Sequence, residues 1–189
     1  SLVIAAIWWL GASTAVTDTV LQTDEVHGAV EITYDNSGIP QINTQEDLDA
    51  FYAVGFVHAQ NRLWQMEMDR RTAGGRVSEV MGATGLPLDK FMRTMGLVDN
   101  ARSVLAKLQE REHQVLSAYT RGVNAGIKAL PRLPLEFDYF GYAPEAWTEL
   151  DSLLKMQLMS LELAQNFSKE LQNQLMLNTF DDVVLAELL

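Results

Sequence analysis

From Val26 the chain shows a hydrophobic pattern of period two. Between Val26 and Ile42, "VHGAVEITYDNSGIPQI", Val30, Ile32 and Tyr34 alternate with Glu31 and Thr33, as in a half-buried strand. Asp35-Asn36-Ser37-Gly38 supplies turn chemistry, and a second extended piece through Pro40 to Ile42 completes a hairpin-like start. The period then changes. Leu48, Phe51, Val54, Phe56, Leu63 and Met66 recur at helical spacing, with Thr44 and Asp47 as a capping-box variant. These positions predict a long helix from about Glu46 to Ala73, closed by Gly74-Gly75.

Further on, "GRVSEVMG" predicts a short helix stopped by Gly82, and "GLPLDKFMRTMGL" a second with Asp89 near its N-terminus. Asp99-Asn100 reads as the cap of a helix reaching Leu108. From Glu110 to Leu130, Val115, Tyr119, Val123 and Ile127 fall on one face, and Gly122 and Gly126 beside them allow a neighbour to approach closely. Pro131 and Pro134 end that helix, and the aromatic piece "PLEFDYFGYAPEAW" reads as an extended loop laid over a core. After Thr148 the pattern is helical to the end, with an interruption near Asn178-Thr179. No internal repeat or low-complexity tract occurs. The chain is thus mainly helical with a little β structure. Its apolar helix faces have no sheet to receive them, which implies that a partner chain completes the core.

Composition narrows the functional classes. With 189 residues and 48% hydrophobic content the chain can bury a core, and it is not a disordered sequence. Its net charge of −11 argues against nucleic acid, which is held through clustered Lys and Arg. The absence of cysteine excludes disulfides, thiolate nucleophiles and thiolate zinc sites. The uncharged start, "SLVIAAIWWLGASTAVT", resembles the core and cleavage region of a signal peptide. Residues 1–25 therefore read as a hydrophobic leader or signal-anchor remnant, with membrane association as one consequence, and residues 26–189 as one domain. The alternative is that the apolar run is a helix or strand of the fold itself.

The densest chemistry lies in "HAQNRLWQMEMDRR", His58 to Arg71. His58 and Asp69 share a helix face but stand about 16 Å apart along the axis, too far to hold one metal ion. Glu67 precedes Arg71 by four residues, the favourable order for an intrahelical ion pair, and the cluster reads as a solvated or interface-bridging salt-bridge ladder. His27 and His113 belong to no motif and read as structural. The HExxH, P-loop and GxSxG patterns are absent. Gly74-Gly75 is explained by a helix C-cap, and the acids between Glu145 and Asp151 by helix-start electrostatics. Ser1 invites a reading as an N-terminal nucleophile, but an apolar leader follows it, so that reading is rejected. The residues alone describe an acidic helical subunit without a catalytic constellation of its own.

Four blocks carry a resemblance: "YDNSGIPQI", "YAVGFVHAQNRLWQMEMDRRTAGGRVSEVMG", "AYTRGVNAGI" and "EFDYFGYAPEAWTELD". In order and spacing they resemble the α (small) subunit of the penicillin acylase family of N-terminal-nucleophile hydrolases. The resemblance implies a precursor that cuts itself into a small α chain and a large β chain, which interlace around a four-layer αββα core. It places the serine nucleophile, its α-amino base and the oxyanion donors on the β chain, so no catalytic residue is expected here. It further implies a structural calcium ion with one glutamate from this chain. A gapless count from Trp147 and Asp151 puts Glu170 there, and Ser160, Leu163 and Ala164 on the helix lining the acyl pocket. Phenylacetyl-specific members carry arginine and phenylalanine where Leu163 and Ala164 stand, which points to a roomier apolar pocket for an aliphatic acyl chain. Asn61 stands where many relatives have aspartate.

The expected substrate is a small N-acyl amide: a β-lactam side chain, an acyl homoserine lactone or another acyl amide such as a cyclic lipopeptide. No organic cofactor is expected, and the expected location is periplasmic or secreted. The rival reading from another class is a noncatalytic helical binding module that keeps the α-chain fold.

Overall fold

The structure, a computed structural model, describes residues 20–164 and 167–179. The apolar leader up to residue 19, and with it Ser1, lies outside the described residues. Strands β1 (Glu31–Tyr34) and β2 (Pro40–Asn43) pair antiparallel, Glu31 opposite Asn43 and Tyr34 opposite Pro40. Asp35 shapes the turn, its carboxylate accepting from the N–H groups of Ser37 and Ile39 at 2.8 and 2.9 Å. Ile32 and Tyr34 are half-buried and Glu31 and Thr33 exposed, as the alternation predicts.

Helix α1 (Asp47–Gly74) follows, and Gly75 stops it in the left-handed region at φ 62°. A side chain there would meet Arg93 Cγ at 2.6 Å as well as backbone strain, so glycine is needed twice over. The Thr44–Asp47 capping box does not form: Glu46 is the N-cap and uses no side-chain cap. Thr44 Oγ1 instead accepts from the Glu46 N–H at 3.3 Å. Buried Asp49 holds the preceding strap to α1, its carboxylate taking the N–H groups of His27 and Gly28 at 3.0 and 2.9 Å.

The remaining elements are α2 (Ser78–Met81), a 3-10 turn (Gly82–Gly85), α3 (Leu86–Met95), α4 (Leu97–Leu105), α5 (Glu110–Ala129), α6 (Leu135–Phe140), α7 (Glu149–Leu163) and α8 (Phe167–Thr179). Three expectations need correction. Asp99-Asn100 lies inside α4, whose N-cap is Gly96. The aromatic segment contains α6, because Phe137 packs in the interior at 1% exposure and draws its neighbours into a helical turn. The break in the last helical region comes at Ala164, the C-cap of α7, while Asn178 and Thr179 remain helical in α8.

Helices α1 and α5 form the frame, and the glycines predicted to admit a neighbour do so. A Cβ at Gly122 would lie 1.9 Å from the Tyr52 carbonyl oxygen, and one at Gly55 2.2 Å from that of Tyr119. Gln60 Nε2, buried between these helices, donates to the Gly126 carbonyl at 2.6 Å. Two apolar clusters flank the frame. One gathers Ala73, Met92, Leu97, Ala101, Leu154 and Leu158; the other joins Ala59, Met66, Val123 and Trp147. A capping box formed by Thr148 and Asp151 starts α7.

Asp89 stands in the first turn of α3, near the helix N-terminus as predicted, and the structure turns it toward α2. Its carboxylate is 2% exposed and accepts from the N–H groups of Val77 and Ser78 at 2.7 and 2.9 Å, and from the Ser78 hydroxyl. Burial pushes the acid upward, but these donors outweigh it and hold the carboxyl below its ordinary 3.8. Its stabilising contribution is therefore complete above that pH and lost as the pH falls through the lower folded value. Asp89→Asn should cost about 1–3 kcal/mol at neutral pH. In acid titrations followed by circular dichroism, its deficit relative to the parent should close as the pH falls through the lowered folded value.

Candidate functional site

The cluster between His58 and Arg71 divides into two environments. At its C-terminal end, Glu67 is 1% exposed and Arg70 and Arg71 are each 5% exposed, so of the two readings of the ladder, solvated or interface-bridging, the solvated one fails: these charges are buried. The reason is tertiary: the segment 142–147 folds across this face of α1. Glu67 pairs with Arg70 and with Arg71, whose Nε donates at 2.6 Å. Arg70 also donates to the Glu145 and Ala146 carbonyls at 3.1 and 3.3 Å and lies over Trp147. Arg71 lies over the Tyr142 ring at 4.9 Å and reaches Glu79. Arg76 extends the network to Glu79 and Glu145 at 2.9 and 2.7 Å. Its guanidinium holds both carboxyls below their usual range, while their hydrogen bonds raise the arginine far above its own. Such compensated charges do not exchange protons near neutral pH. The network fastens α1, α2 and the start of α7 together.

The N-terminal end of the cluster faces an open groove of about 700 Å³. It lies where α1 kinks: Arg62 has φ −140° and ψ 22° inside an otherwise helical run. His58, Arg62 and Trp64 of α1 line it together with Pro40 of β2, Pro134 and Glu136 of α6. His58 Nδ1 lies 3.0 Å from the Tyr119 hydroxyl, and their rings meet edge to face. Burial pushes the Tyr119 phenol up to about 12, so it stays protonated. Desolvation, aided by Arg62, lowers the His58 imidazole. We assign the phenol as donor to Nδ1, which leaves Nε2–H available to a ligand. Arg62 itself donates to Gln65 Oε1 at 3.3 Å.

His58 and Asp69 are not brought together, as their spacing predicted; Asp69 pairs with Lys155 at 2.8 Å instead. His27 is largely exposed beside Asp49, and His113 contacts Glu149 at 3.2 Å. The residues assigned to an acyl pocket lie at the exposed end of α7. Ser160 Oγ donates to the Met156 carbonyl at 2.9 Å, Leu163 is 70% exposed, and Ala164 is the C-cap. Met156 and Met159 are likewise exposed on α7, as are Leu171, Leu175 and Leu177 on α8. Glu170 is exposed on α8, of the right oxygen-donor type for calcium. Among the described residues no three His, Cys, Asp or Glu gather in a metal-binding group. Sequence reasoning missed the groove and the Tyr119 contact, because neither the kink nor a pairing across 61 residues leaves a local pattern.

Residues 29–189 match the penicillin amidase family model. The chain belongs to the penicillin amidase family. It is 38% identical over 132 residues to a penicillin acylase 2 proenzyme of Pseudomonas sp. (strain SE83), covering 70% of this chain and 17% of that protein. It is 38% identical over 135 residues to the acyl-homoserine lactone acylase QuiP of Pseudomonas aeruginosa, covering 71% and 16%. Among solved structures, it is similar to the thermostable penicillin G acylase from Alcaligenes faecalis, with a TM-score of 0.64, 27% identity and 75% of each chain covered. The chain thus spans about a sixth of the length of these curated family relatives. No helix among the described residues is long and apolar enough to cross a membrane.

Proposed function

We propose that this chain is the α subunit of a heterodimeric penicillin-amidase-type hydrolase that cleaves the amide of an N-acyl substrate. The observation that carries the reading is the apolar surface left open on α7 and α8, in a family member whose described residues contain only a two-stranded sheet. Exposed apolar area of this kind calls for a partner. A β chain from the same precursor would cover it and supply the layers of an αββα core.

On that chain an N-terminal serine attacks the amide carbonyl, its proton passes to its own α-amine, and the amine product leaves. Water then hydrolyses the acyl-enzyme. This chain contributes scaffold and, at Ser160, Leu163 and Ala164, part of the acyl pocket. Leu163 and Ala164 favour an aliphatic acyl chain, as in an acyl homoserine lactone. Glu170 would donate one carboxylate to a calcium ion whose other ligands come from the β chain. Export to the periplasm, with the apolar leader as signal or anchor, belongs to the same reading.

The test is the full-length precursor. Mass spectrometry should show two chains, and a release assay should rank long aliphatic amides above phenylacetyl amides. An uncleaved single chain inactive on every N-acyl amide would refute the proposal, and a phenylacetyl preference would refute the pocket assignment alone. Residues 26–189 expressed without the remainder should aggregate; a stable monomer would favour the binding-module reading.

A further inference from the structure

The kink at Arg62 occurs in a helix stretch free of proline and glycine, so no residue of low helix propensity causes it. Arg62 is also unusual in its charge environment. The chain holds 25 acids against 14 bases, and most of its arginines reach a carboxylate, Arg71, Arg111 and Arg132 among them. Arg62 reaches none at ion-pair distance among the described residues, and its hydrogen bond goes to the neutral amide of Gln65. Glu136 lines the same groove but makes neither an ion pair nor a hydrogen bond with it. His58 adds a second donor with its orientation set by Tyr119, and Trp64, Pro40 and Pro134 provide apolar walls. Two donors that Glu136 leaves unpaired at ion-pair distance, between apolar walls, suit a carboxylate carried on a short stretch of chain.

The occupant follows from what lies outside the matched region. This chain corresponds to 17% of a proenzyme relative, so most of such a precursor is still to be accommodated. We propose that the groove receives a segment of the remainder of the precursor and seats an Asp or Glu side chain between Arg62 and His58. This rests on the α-subunit reading and adds to it a defined docking point, away from the apolar surface of α7 and α8.

The test uses the full-length protein with a photo-crosslinking benzoylphenylalanine at Gln65, and separately the variants Arg62→Glu and Arg62→Lys. The crosslink should map to an acidic peptide of the second chain. Arg62→Glu should weaken the association of the two chains about tenfold or more at low salt, and less at high salt. Arg62→Lys should keep most of the affinity, and circular dichroism should be unchanged in both, because the side chain is exposed. If the parent protein contains no second chain, both this inference and the α-subunit reading fall. If the second chain is present but Arg62→Glu binds it as the parent does, or the crosslink joins two copies of this chain, only the docking point is overturned.

Discussion

Gly122→Ala should lower stability by about 3 kcal/mol, at the upper end of overpacking penalties, and with it the melting temperature of the assembled protein. The added methyl would sit 1.9 Å from the Tyr52 carbonyl oxygen and 2.7 Å from its carbon. Both are backbone atoms inside α1, so no rotamer change relieves the clash; α1 and α5 must move apart. The same approach seen from the other helix predicts a comparable loss for Gly55→Ala, 2.2 Å from the Tyr119 oxygen. The two losses should not add, because separating the helices once relieves both. Gly74→Ala is the control. Its Cβ would meet nothing closer than 3.6 Å, at the end of α1, and the change should be neutral or stabilising by up to about 1 kcal/mol. Differential scanning calorimetry distinguishes the cases; equal losses at Gly122 and Gly74 would refute the close-approach account.

Glu67→Gln should cost about 3–5 kcal/mol, the range for removing one partner from a buried ion pair. Glu67 is the acid shared by Arg70 and Arg71, which are almost as buried as it is. The amide keeps the shape but leaves two guanidinium groups short of a counter-charge beneath the 142–147 segment. Asp151, 3.7 Å from Arg70, and Glu79, on the exposed side of Arg71, compensate only in part. Because the pair is sheltered from solvent, the deficit should change little between low and high ionic strength. The exposed pair of Arg102 and Asp99 offers the contrast, at 3.5 Å with side chains 66% and 89% exposed. Asp99→Asn should move stability by no more than about 0.5 kcal/mol. Urea unfolding at two salt concentrations measures both; a salt-sensitive loss below about 1 kcal/mol at Glu67 would mean that the ladder is solvated after all.

The contrast between these residues shows how far local pattern reaches. The Glu67–Arg71 pair was legible because four residues make one helical turn, and the close helix approach because Gly122 and Gly126 repeat at that spacing. The burial of the same ion pair was not legible, since it depends on a segment some 75 residues away. Asp89 misled for a related reason. An acid in the first turn of α3 looks like a dipole partner, yet the 3-10 turn at Gly82–Gly85 folds α3 back so that it meets the N–H groups of Val77 and Ser78. The gapless count to Ser160, Leu163, Ala164 and Glu170 follows sequence register alone, and these residues fall on two helices, α7 and α8, with Ala164 as the C-cap of α7.

By itself the sequence determined the hairpin, the extent of α1 and α5 and the family. Each of these is written in spacings of a few residues or in contiguous blocks, because hydrogen-bond ladders and side-chain periodicities act over one or two turns. Only the tertiary structure decided which charges are buried, where α1 kinks and which apolar faces remain open. Burial depends on what another part of the chain brings to the same place, and no local pattern carries that information.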